Sequence, residues 1–185
     1  MLVLKQIQES LEKHYGLQIG SDVRDFVKYV ETDRSQLIVK QNSEDIDLAI
    51  LLDRDIFVDW KNQPQNMAET FEEISHFVYL AFNHLQGRNI TPLEMELQSE
   101  IDRVLLVFHS DVATFNEQKE YILRSLLQRP YADQQYEFSR QLARNFVANL
   151  SGGNPSAWTK TEFDKLRRFY HSDLSEKLYL ARKGV

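Results

Sequence analysis

At 185 residues, 42% hydrophobic and 27% charged, the chain has the composition of one ordinary globular domain rather than of a disordered segment. No apolar run nears the roughly 18 residues of a bilayer span, the start "MLVLKQIQESLEKHYG" lacks the basic-then-apolar order of a secretory leader, and the absence of cysteine excludes disulfides, thiolate metal sites and cysteine nucleophiles. The net charge of −6 is uneven, with 24 acids and 15 bases in residues 1–150 against 4 acids and 7 bases in residues 151–185, and an acidic body argues against nucleic-acid binding, which draws on Lys and Arg.

Leu4, Ile7, Leu11 and Tyr15 recur at helical spacing, and Gly16 or Gly20 can end that first helix. The period then shortens. "DFVKYVE", "QLIVKQ" and "DLAILLD" are short β-branched and aromatic runs separated by the turn-like "TDRS" and "NSED", with "DIFVDW" as a possible fourth. Strands in such tight succession predict a small antiparallel β-meander. Beyond "KNQPQN" the pattern is helical: 66–86 closed by Gly87, then a helix opened by Thr91-Pro92-Leu93-Glu94 as a capping box, then helices over 115–128, 132–150, 160–170 and 173–183. "SGGNPS" at 151–156 coincides with the change of charge, so the expected organisation is an α+β domain over 1–150 and a helical extension over 151–185. A cytoplasmic location is the default expectation.

The residues with chemical potential lie in "AETFEEISHFVYLAFNH", residues 68–84. Glu72 and His76 are four apart, so on a helix both can reach one metal ion from a single face, and Glu73 sits beside them. A third ligand must come from elsewhere, and Glu96 and Glu100, one turn apart on the following helix, are the candidates; Glu94 is accounted for by the capping box. Residues 66–112 hold eight acids and only the two bases Arg88 and Arg103. Such a density of like charge calls for a cation or a basic partner. Glu73 and His76 also form an E-x-x-H pair of the kind used twice in di-iron bundles, but no second such pair follows.

A strand pair, a helix bearing Glu72-Glu73-Ile74-Ser75-His76 and a second helix bearing glutamates resembles the gluzincin-type zincin metallopeptidases, in particular the small bacterial proteases that cleave phage-type repressors. The likeness covers roughly residues 25–112. It implies His76 as a metal ligand, Glu73 as general base, Glu96 or Glu100 as third ligand, and Glu72 in place of the first histidine of H-E-x-x-H. It also implies an extended peptide substrate lying along an edge strand, "DLAILLD" or its neighbour. The metal implied is zinc; a carboxylate in place of an imidazole suits iron or manganese as well, and equally fits a relative that has lost both metal and activity. The alternative is a non-enzymatic interaction protein, docking a partner through an acidic helical face or through basic-aromatic C-terminal helices containing Trp158, Arg167, Arg168, Tyr170 and Lys177.

Overall fold

The computed structural model describes residues 2–32, 34–41, 46–55, 64–109, 134–150 and 154–183. Helix α1 (Leu2–Tyr15) buries the four positions its spacing singles out, Leu4, Ile7, Leu11 and Tyr15. It ends at Gly16, whose φ of 70° suits a residue without a Cβ, and Leu17 N donates back to Glu12 O at 2.8 Å. A short 3₁₀ turn, Val23–Phe26, leads into the strands β1 (Val27–Val30), β2 (Gln36–Gln41) and β3 (Ile46–Asp53).

The sheet departs from the expected meander. Its order is β1-β3-β2, with β2 antiparallel to β3 and β1 parallel to it. β3 is the longest strand, and its Ile50 and Leu52 are buried, so both flanks of that stretch are covered. The chain leaves Val30 beside Asp53 and re-enters at Gln36 beside Leu51, crossing over the end of β3 instead of folding straight back. The proposed fourth strand, "DIFVDW", lies outside the described residues from Ile56 on, as do the expected helix over 115–128 and the first residues of "SGGNPS".

Two long helices follow. Helix α2 (Pro64–Leu85) closes in a Schellman turn, Arg88 N to Asn83 O and Gly87 N to His84 O, both 2.9 Å, with Gly87 at φ 67°. Helix α3 (Pro92–His109) opens with the predicted box: Glu94 N donates to Thr91 Oγ1 at 3.2 Å while Thr91 N donates to the Glu94 carboxylate at 3.0 Å. Helix α4 (Gln134–Asn149) packs along α3, and α5 (Lys160–His171) and α6 (Leu174–Lys183) complete the body. The architecture is α+β, and the described residues form six α-helices with a small mixed sheet.

One apolar cluster joins these elements. Phe71, Ile74 and Phe77 of α2 meet Leu97, Ile101 and Leu105 of α3, with Leu142 and Phe146 of α4. The C-terminal stretch contributes Trp158, Leu166, Phe169, Tyr170 and Leu180 to the same cluster. Consequently the basic-aromatic series is not a surface patch. Trp158, Tyr170 and Lys177 are buried, and Arg168 is held by Glu176 at 2.8 Å. The acids of α3 also face inward, with Glu94, Glu96, Glu100 and Asp102 all buried.

Candidate metal centre

The α2–α3 hairpin sets the site. The Gly87 turn and the Thr91 cap bring the chain back antiparallel, so the stretch Glu72–His76 of α2 faces the stretch Glu96–Arg103 of α3. Glu72 and His76 point from α2 and Glu96 from α3 toward one spot, where one donor atom from each lies within 4.8 Å of the others. A divalent ion about 2 Å from each donor would draw them to about 3–3.5 Å apart, within reach of rotamer adjustment.

His76 is the informative residue. Its ring is buried, and Nε2 has no hydrogen-bond partner. That nitrogen faces Glu96 Oε1 at 3.6 Å, beyond hydrogen-bonding distance. On the other side of the ring, Nδ1 stands 3.7 Å from Glu73 Oε2. Glu73, expected as general base, therefore sits at the far nitrogen of the imidazole, where a carboxylate orients a ligating histidine.

The other two candidate ligands have their own supports. Arg103 Nη2 donates to Glu72 Oε2 at 2.5 Å. Tyr136, from α4, lies beside Glu96 and is lifted to about 12 by its partial burial and by the Glu96 and Glu72 charges. Glu100, the alternative third ligand, is drawn elsewhere: Arg103 Nη1 and Arg140 Nε lie 3.6 and 3.7 Å from its Oε1. Among the described residues, Glu96 and not Glu100 joins the group able to hold a metal. Arg140 and Tyr136 were invisible as site residues in the sequence; their one signal is the E/R complementarity between α3 and a helix nearly forty positions away.

Titration follows from this crowding. Burial alone would lower His76, but the Glu73 carboxylate and the charges of Glu96 and Glu72 outweigh it and lift the imidazole from 6.5 to about 9. Glu96 is raised from 4.5 to about 7 by burial, against the pull of His76 and with the push of Glu72, Glu73 and Glu100. Protons thus occupy a site whose donors are arranged for a cation.

His84 is exposed at the end of α2 and takes no part. His109 is engaged structurally, its Nε2 2.8 Å from Pro155 O and its ring stacked on Trp158. Asp111 lies outside the described residues. The strand expected to offer a peptide-binding edge, "DLAILLD", is the centre of the sheet, flanked by β1 and β2. No helix among the described residues is long and apolar enough to cross a membrane. Compared with protein-family models, with curated proteins and with solved structures, the chain matches none.

Proposed function

We propose that the protein binds one divalent transition-metal ion through Glu72, His76 and Glu96 and uses it for hydrolysis. The observation that carries the reading is the buried His76 Nε2, without a hydrogen-bond partner and aimed at two carboxylates. A buried imidazole nitrogen left bare costs on the order of 1–3 kcal/mol. A metal is the partner that all three groups can share.

The supports around the site agree with this reading. Arg103 holds Glu72, Glu73 lies 3.7 Å from the far nitrogen of His76, and Tyr136 stands against Glu96. Ligands oriented by their own outer partners are the usual arrangement of a working metal site. Three protein ligands leave coordination positions open, which is the mark of a catalytic rather than a structural centre. A bound ion there would supply a Lewis acid and an acidified water. Two carboxylates and one imidazole suit manganese or iron as well as zinc.

The zincin resemblance supports hydrolysis of a peptide or related acyl bond, with one change of role. Glu73 sits at the far nitrogen of His76, so proton transfer falls to another group, and Tyr136, beside Glu96, is a candidate. The test is metal content of untagged protein, with Glu72→Ala and His76→Ala alongside. Near one equivalent of zinc, iron or manganese, lost in both variants, is the expected result. Metal-free protein that stays so after reconstitution would overturn the proposal.

A further inference from the structure

A second buried polar cluster lies across the α2–α3 pair from the metal centre. Asp102, buried at 0% exposure, accepts from three side chains. Tyr15 Oη of α1 donates to Oδ1 at 2.5 Å, Ser75 Oγ of α2 to Oδ2 at 2.6 Å, and Gln98 Nε2 of α3 to Oδ1 at 2.7 Å. The same Gln98 accepts, through Oε1, a 2.7 Å hydrogen bond from Lys177 Nζ of α6. Lys177 is itself buried at 0% exposure, its ammonium 4.5 Å from the Tyr79 ring centroid and 4.8 Å from that of Phe169. Gln98 is a bridge: its carbonyl takes the cation and its amide feeds the anion.

The members of this cluster are chain neighbours of the site residues. Ser75 precedes His76, Asp102 precedes Arg103, and Gln98 lies between Glu96 and Glu100. Successive helical residues are about 100° apart, so Glu96 and Gln98 point to nearly opposite sides of α3. The helix is held by Lys177, Tyr15 and Ser75 on one face while it presents Glu96 on the other. A carboxylate about 6 Å from a helix axis moves about 1 Å for each 10° of rotation, and an error of that size is enough to spoil a metal site.

We propose that Lys177 is a positioning residue for the metal centre: through Gln98 and Asp102 it fixes the rotation of α3 against α2, so that docking of the C-terminal helix α6 sets the affinity of the Glu72–His76–Glu96 group. This rests on the metal reading above. By thermodynamic linkage the effect is reciprocal, and metal binding tightens α6.

The test uses the full chain and Co²⁺ as probe, with wild type, Lys177→Met, Ser75→Ala and, as control, Glu96→Gln. Lys177→Met removes the amine but leaves Asp102 its three donors. Expected results are a folded Lys177→Met by far-UV circular dichroism, Co²⁺ affinity at least tenfold weaker, and a changed Co²⁺ d–d spectrum. Ser75→Ala should show a smaller loss, about threefold. In wild type, Co²⁺ should slow amide hydrogen exchange over residues 174–183; in Lys177→Met it should not. If Lys177→Met fails to fold, the affinity and spectrum of Ser75→Ala decide. Wild-type affinity, spectrum and exchange in these variants, with binding lost only in Glu96→Gln, would overturn the positioning role and leave the metal site standing. No Co²⁺ binding by wild type would overturn both.

Discussion

Replacing Glu96 by glutamine should change stability in opposite senses with and without metal. The native fold holds the Glu96 pKa near 7, against 4.5 ordinarily, chiefly by burial. Between those values the native state keeps a proton that the unfolded chain has lost, so stability falls as pH rises through about 7 and the full cost applies above it. At 1.36 kcal/mol per pH unit that cost is at most about 3 kcal/mol. At pH 8 without metal, Glu96→Gln should therefore be at least as stable as wild type. A metal at one hundred times its Kd stabilises wild type by about 2.7 kcal/mol, or about 5–10 °C in Tm for a chain of this size. The variant should show none of that increase. Thermal unfolding by circular dichroism, with and without Zn²⁺, Mn²⁺ or Co²⁺, reads both effects. A metal-induced rise that survives in Glu96→Gln would refute the ligand assignment, and its absence from wild type would refute the site.

Proton competition gives a second check. With His76 near 9 and Glu96 near 7 before metal enters, affinity should climb from pH 6 and level off above about pH 9, with close to two protons released per ion at the acid end; calorimetry in buffers of different ionisation enthalpy counts them, and a pH-independent affinity would contradict the site. Lys177 is lowered by burial from 10.5 to about 7. The unfolded chain then holds the extra proton between those values, so this group makes stability rise with pH across the window, by at most about 5 kcal/mol; the slope of urea-unfolding free energy against pH should flatten in Lys177→Met. Thr91→Ala removes the α3 cap and should cost about 1 kcal/mol in urea unfolding, and a loss below a few tenths would mean that packing alone holds the helix start.

The local grammar of the chain was readable because its causes are local. Thr91 and Glu94 are three apart, Gly87 follows the last apolar position of α2, and Glu72 and His76 are one turn apart, so the cap, the stop and the shared face of Glu72 and His76 all follow from helical geometry. Choosing Glu96 over Glu100 was not possible from α3 itself, since both occupy one face. Arg140 decides it by drawing Glu100 away, and Arg140 is brought there by the packing of α4 on α3. The parallel pairing of β1 with β3 has the same character: tight turns favour hairpins, but the burial of Ile50 and Leu52 puts β3 in the middle. Lys177 reads as a surface lysine in "LSEKLYLARK"; its burial becomes intelligible only beside Gln98 and Asp102.

The two polar clusters differ in the partners their acids meet inside the protein. Asp102 meets three donors and, through Gln98, a buried lysine, partners that offset part of the burial that raises its carboxyl above the usual carboxylate range. Across the helices, the contacts described set Glu72, Glu73, Glu96 and Glu100 against Arg103 and Arg140, with His76 between Glu73 and Glu96. Buried carboxylates without compensation are expensive, and a fold built only for stability would replace them by apolar groups of the same volume. The pKa values of His76 and Glu96 show the same imbalance, since both groups hold protons into the neutral range or beyond. A divalent ion would displace those protons and pair with His76 Nε2 and the Glu96 and Glu72 carboxylates. The acid-rich stretch of α2 and α3 thus divides into Asp102, whose oxygens meet donors from three helices, and the Glu72–His76–Glu96 group, whose donor atoms come close enough together to hold a cation.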